Sequence, residues 1–168
     1  MQQYAMIYGT YMGIFWVLKF TFFPLGLTHP FLFLLFIGLT CCVPFLGYYY
    51  TKLYRDTACG GNIVFFKAWW FNTLVYLFAS LLTGVGHYIY FQFIDHGYII
   101  DTYETILKNF PLENAPSVAP YMQQMENALT VLRGLTPIEI SMQLMSQNII
   151  YGSFLALPTA LFVMKSKK

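Results

Sequence analysis

The sequence predicts an all-α integral membrane protein: a four-helix bundle with an extracytoplasmic amphipathic helical hairpin between its third and fourth spans. Two observations predict it. Of the 168 residues, 58% are hydrophobic and only 10% charged, against roughly a quarter charged in an ordinary soluble domain. A compact chain of this size exposes too much surface to cover with so few charges. Four apolar stretches also reach the roughly 20 residues of helix that a bilayer core of about 30 Å requires, and they lack the alternation of strands. The length suits a single membrane domain, residues 1–168. The composition excludes a disordered chain, a collagen-like repeat and a disulfide-stapled secreted scaffold.

The first span is read over residues 2–23 and closed by Pro24. A link from Pro24 to Pro30 leads into the second, residues 31–50, and the third covers 69–94 after a polar stretch. The fourth, 145–164, is the apolar part of a longer helix that ends before the C-terminal lysines. The flank Met1-Gln2-Gln3-Tyr4 carries no Lys or Arg, and no small-residue cleavage site follows the first apolar run. That span is therefore expected to stay as a membrane helix and not to be removed as a signal peptide.

Orientation follows from the cations at the span ends. Lys52, Arg55, Lys67, Lys165, Lys167 and Lys168 fall on the side of both termini, with Asp56 as that side's acid. The other side holds Lys108 and Arg133 among Asp95, Asp101, Glu104, Glu113, Glu126 and Glu139. This bias predicts a multi-pass protein of the bacterial inner membrane with cytoplasmic termini and a periplasmic segment 95–144. Tyr48, Tyr49 and Tyr50, with Trp69 and Trp70, suit the inner headgroup level. Lys19, near the outer end of the first span, is expected to snorkel to the headgroups.

The outer segment reads as ordered. From Gly97 to Phe110, Ile99, Tyr103, Ile106, Leu107 and Phe110 share one helical face, and Pro111 ends the helix. Leu112 to Pro120 makes the turn. Met122, Met125, Leu129, Leu132 and Leu135 follow at spacings of three and four, with Gly134 as the stop. Thr136-Pro137-Ile138-Glu139 then forms a helix-start signature, with Thr136 as cap, Pro137 at the first position and Glu139 reaching back as a capping box. Plain packing is the expected use of the outer apolar faces. Met122, Met125, Met142 and Met145 offer a docking groove for lipid or partner as the alternative.

The middles of the spans contain no Asp, Glu, Lys, Arg or His, whereas ion-coupled carriers place such groups at that depth. His87, Asp95 and Glu139 are the candidate outer polar cluster, with His87 expected to be a solvated interfacial histidine. No spacing matches a metal site, a nucleotide loop or a nucleophile motif, so no catalytic residue, metal or cofactor is expected. Cys41 and Cys42 are adjacent and poorly placed for a disulfide. Lys52, Arg55, Lys67, Trp69 and Trp70 are candidate contacts for anionic headgroups or an acidic partner. Gly9, Gly13, Gly152 and Ala156 lie on small-residue faces that let helices approach closely. Those faces either close the bundle or meet another membrane protein, and Pro44 and Pro158 are expected to kink their helices.

Two stretches carry a family resemblance: Tyr54-Arg55-Asp56 through Gly60-Gly61 into Phe65, Lys67 and Ala68, and Leu135-Thr136-Pro137 through Gly152 to the lysine tail. In these the chain resembles an uncharacterised domain-of-unknown-function family of small four-span Bacteroidetes membrane proteins. The resemblance implies a partner by association, a membrane glycosyltransferase encoded nearby. The reading is a non-catalytic inner-membrane accessory or scaffold subunit in envelope biogenesis, in contact with membrane lipids and with either a glycosyltransferase-like partner or further copies of itself. A small lipid or amphiphile carrier is the alternative. An outer-face enzyme acting through His87 is a third reading, and no nucleic-acid partner is expected.

Overall fold

The computed structural model describes residues 1–109 and 116–165. Six α-helices follow one another: α1 (Gln2–Gly26), α2 (Pro30–Ala58), α3 (Phe65–Phe93), α4 (Tyr98–Lys108), α5 (Ala119–Arg133) and α6 (Pro137–Val163). A 3-10 turn, Pro116–Val118, precedes α5. Among the described residues the β pairing is a single bridge between Ile63 and Lys165. The expected helix stop at Phe110-Pro111, the start of the following turn and the final lysines Lys167 and Lys168 lie outside the described residues.

Helices α1, α2 and α3 are long and apolar enough to cross a membrane. Helix α6 has comparable length, but Ser146, Gln147 and Asn148 dilute its apolar stretch and it is not among the three. Several boundaries differ from the sequence expectation. Pro24 does not close α1, which continues to Gly26, so the link shrinks to 27–29. A proline near a helix end forfeits one backbone bond without ending the turn that follows it. Helix α2 runs eight residues past Tyr50, because Thr51 and Tyr54 continue the buried stripe of Val43 and Gly47. Helix α3 starts at Phe65, four residues before Trp69. Helices α2 and α6 run unbroken through Pro44 and Pro158.

Helix α3 is the central element, packed along α1 and α6, while α2 lies against α1 and reaches α6. The small residues make this possible. A Cβ on Gly9 would stand 2.5 Å from Phe78 Cβ and 2.9 Å from the Val75 carbonyl oxygen, and one on Gly152 would stand 2.7 Å from Tyr76 Cβ. Gly13 meets Leu82 and the Ala79 carbonyl in the same way. Ala5, Ala156 and Ala160 are fully buried on these seams. The small-residue faces thus serve contacts within the chain, the first of the two uses expected for them.

The bundle's middle holds polar groups without charge. The Trp16 and Tyr76 rings stack with centroids 5.8 Å apart, and the Tyr76 hydroxyl occupies the space left by Gly47. Among the described residues, neither amide atom of Asn72 nor the Tyr76 hydroxyl has a hydrogen-bond partner, and both residues are fully buried. An unpaired buried amide costs about 1–3 kcal/mol. Asn72→Leu, close in shape, is therefore expected to raise stability by about 1–2 kcal/mol in detergent unfolding. A loss of that size would instead show that the amide is bonded to ordered water.

The end of the bundle that carries the termini, called the inner end here, is tied together by the stretch that carries the first part of the resemblance. Gly60 and Gly61 take positive φ of 61° and 80°, a conformation only glycine adopts freely. The Gly61 N–H donates to the Arg55 carbonyl at 3.0 Å. Ile63 N–H donates to the Lys165 carbonyl at 3.0 Å, and Lys165 N–H to the Ile63 carbonyl at 2.9 Å.

Candidate functional site

One cavity lies at the end of the bundle away from both termini, called the outer end here, between α1, α2 and α3 below and the α4, α5 and α6 segments around it. It holds about 520 Å³, within the range of small-molecule sites. Its wall is mainly apolar and aromatic: Trp16, Phe20, Phe23 and Phe36 from α1 and α2, Phe91 from α3, and Ile99, Tyr103, Met125, Leu129, Leu132 and Leu144 from the outer elements. Polar groups enter it from Lys19, Thr83, His87, Asp95 and Asn148. A second cavity of about 650 Å³ lies beside it between α1 and α3, lined by Val17, Pro24, Gly86, Ile89, Tyr90 and Ile94 among others. Phe20, Thr83 and His87 border both.

Each polar group in the outer cavity has a traceable origin. On α1, Ala5, Met12, Trp16 and Lys19 share one stripe at helical spacing, so Lys19 turns inward with its buried neighbours. Its amine stands 5.7 Å from the Trp16 ring centroid and 5.5 Å from that of Phe36, a cation–π arrangement. The snorkelling expected for Lys19 is therefore corrected: the side chain reaches a cavity between helices and not the bilayer headgroups. On α3, Tyr76, Ser80, Thr83 and His87 continue one buried stripe. His87 is only 5% exposed and meets Phe20 edge to face at 4.3 Å between centroids. The expected solvated histidine is thus a buried one, and among the described residues its Nδ1 has no hydrogen-bond partner.

Asp95, 6% exposed, is already engaged. Its carboxylate accepts the Gly97 N–H at 3.1 Å and the Ile99 N–H at 3.2 Å, which caps the start of α4. His96 and Gly97 make the turn with φ of 44° and 87°. Helix α4 is joined to α5 by Arg133, whose Nη2 lies 2.6 Å from Asp101 and 2.9 Å from Glu104.

Glu139 does not join the cluster. It stays exposed at the start of α6, where the Thr136 backbone N–H donates to its carboxylate at 2.7 Å and the Thr136 hydroxyl at 2.6 Å. The capping box expected from the sequence is present. These bonds from Thr136 hold the Glu139 carboxyl below its ordinary range. A depressed acid stabilises the fold above its unfolded pKa of about 4.3 and loses that contribution as pH falls through the lower, folded value. Backbone hydrogen exchange at 138–141 is therefore expected to speed up as pH is lowered from 6 to 3, after correction for the intrinsic rate. Glu139→Gln should abolish that pH dependence.

The other candidates are scattered. Arg55 donates from Nη1 to the Val163 carbonyl at 3.0 Å and from Nε to Asp56 at 2.8 Å, so it fastens the end of α6 and is not a free headgroup contact. Trp69 donates its indole N–H to the Ser153 carbonyl at 3.1 Å. Lys52, Lys67 and Trp70 remain exposed, with the Lys67 amine 6.0 Å from the Tyr54 ring. The methionine groove divides: Met125 lines the outer cavity, Met145 packs by Gly84 and Met142 faces outward. Trp16 and Phe36 were not singled out as site residues from the sequence, and Lys19 was read as an interfacial cation. The signal for Lys19 was its register with Ala5, Met12 and Trp16.

Among the described residues, no three His, Cys, Asp or Glu side chains are grouped to hold a metal ion. The family model of a protein of unknown function, DUF4199, matches residues 7–165. The chain belongs to that family. The matched region takes in both the inner tie around Arg55 and the whole outer cavity. No curated protein and no solved structure matches the chain.

Proposed function

We propose that this member of the family is a lipid or amphiphile carrier that crosses the bacterial inner membrane four times and holds its cargo in the outer cavity. The observation that carries this reading is the cavity itself: about 520 Å³ with a mainly apolar, aromatic wall and polar groups at one level. Helix α6 serves as the fourth span, since it packs along α3 for much of its length and its dilution lies at the outer end. The cationic bias toward Lys52, Arg55, Lys67 and Lys165 supports cytoplasmic termini and, with them, a periplasmic cavity.

Native mass spectrometry of protein extracted in mild detergent tests the reading. One stoichiometric single-chain lipid, displaced in Ala128→Trp, is the expected result, because Ala128 lines the cavity from an exposed position. Protein that stays lipid-free when incubated with amphiphiles would sink it.

The accessory-subunit reading, with a glycosyltransferase-like partner, draws on a different observation. Helix α2 buries only Val43, Gly47, Thr51 and Tyr54 and leaves Phe31, Leu34 and Phe45 exposed by 76%, 66% and 73%. A lipid-facing helix and a docking helix look alike in this respect. Affinity purification that recovers a stoichiometric membrane partner, cross-linked through exposed Cys41 or Cys42, would favour it. Repeated recovery of the chain alone would count against it.

A further inference from the structure

We infer that the occupant of the outer cavity is an anionic single-chain amphiphile whose oxyanion headgroup, a carboxylate or a phosphate, is bound by the Lys19 ammonium. This rests on the reading of the cavity as an amphiphile site. Lys19 is half-buried, and among the described residues its amine has no carboxylate within 4 Å and no oxygen acceptor. The rings of Trp16 and Phe36 offset part of the desolvation of the charge. They offer no lone pair to its three N–H donors.

The nearby acids are committed elsewhere. Asp95, which lines the same cavity, holds the backbone N–H groups of Gly97 and Ile99. Asp101 and Glu104 pair with Arg133, and Glu139 is engaged by Thr136. Among the described residues no carboxylate therefore pairs with the Lys19 amine, although Asp95 lines the same cavity, and an oxyanion from outside completes the cation's partners.

His87 supplies the second observation. It is 95% buried, borders the cavity and has an unpartnered Nδ1. Lys19 stands seven residues before the end of α1 and His87 six before the end of α3. At about 1.5 Å per residue both lie roughly 9–11 Å below the outer helix ends. One headgroup at that level meets a charged donor from α1 and an imidazole nitrogen from α3.

A cavity of about 520 Å³ is in the range of small-molecule sites and suits one acyl or prenyl chain. Ile99, Tyr103, Leu129 and Leu132 roof the space, so the tail lies under the outer helices with the head toward Lys19.

The test is native mass spectrometry of the full chain in non-ionic detergent, titrated separately with palmitate, hexadecyl phosphate and hexadecanol. For the wild type, at least one of the two anions is expected to bind about tenfold or more tighter than the neutral alcohol. Lys19→Met should erase that preference by bringing the anions down to about the affinity of hexadecanol, and Lys19→Arg should restore it. Preference for palmitate alone or hexadecyl phosphate alone identifies the head as carboxylate or phosphate, and either supports the inference. Equal binding of anion and alcohol, or a preference that survives Lys19→Met, would overturn the inference while leaving the amphiphile site standing. Binding of all three unaffected by Ala128→Trp, or no binding to the wild type, would overturn both.

Discussion

Gly9→Val and Gly152→Val are each expected to lower stability by about 3 kcal/mol, at the upper end of the usual range for overpacked cores. At Gly9 the first added carbon already lies 2.5 Å from Phe78 Cβ and 2.9 Å from the Val75 carbonyl. At Gly152 it lies 2.7 Å from Tyr76 Cβ and 2.8 Å from Cγ. Neither neighbour is the loose end of a flexible side chain, so relief requires α1 or α6 to move away from α3. Gly38→Ala is the control. A Cβ there meets nothing within 4 Å, and the exchange should be neutral or stabilising by up to about 1 kcal/mol, as helix propensity predicts. Thermal unfolding in one detergent reads all three. Gly9→Val at wild-type stability would mean that the α1–α3 seam is not a close contact in solution.

The same seams show how much of the molecule was legible beforehand. The four-residue spacing of Gly9 and Gly13, and of Gly152 and Ala156, identified the packing faces, because helix periodicity acts locally and small residues let helices approach closely. The start of α6 at Thr136-Pro137 was legible for a similar reason: its capping partners lie within three residues of each other. The site was less so. Lys19 and His87 lie 68 positions apart, and only the parallel run of α1 and α3 brings them to one cavity.

Charge number also misled where burial decided. Proximity to the membrane surface suggested solvated roles for Lys19 and His87. The buried stripes below them, Met12-Trp16 and Tyr76-Ser80-Thr83, already pointed inward. Glu139 was grouped with His87 by its position along the membrane normal, but a carboxylate that caps its own helix is not available across the bundle.

Arg55→Ala should weaken the opposite end of the molecule without touching the cavity. The guanidinium acts through two nitrogens at once, Nη1 to the Val163 carbonyl at the end of α6 and Nε to Asp56. A carbonyl at a helix C-terminus has no partner in its own helix, and a cation there also opposes the helix dipole. Loss of a charged hydrogen bond of this kind costs about 1.5–3 kcal/mol. Backbone hydrogen exchange at 160–165 should speed up, and the melting temperature should fall. Arg55→Lys should recover only part of this, since one ammonium does not reproduce the planar fork. His87 lies 22 residues along α3 from Phe65, about 33 Å away at helical rise, so amphiphile affinity should stay at the wild-type value in Arg55→Ala. The double variant with Lys19→Met should then show additive stability changes and the binding defect of Lys19→Met alone. Exchange at 160–165 that is unchanged in Arg55→Ala would mean that the Ile63–Lys165 bridge holds the end of α6 without the guanidinium. Weaker amphiphile binding in that variant would mean that the two ends of the bundle move together.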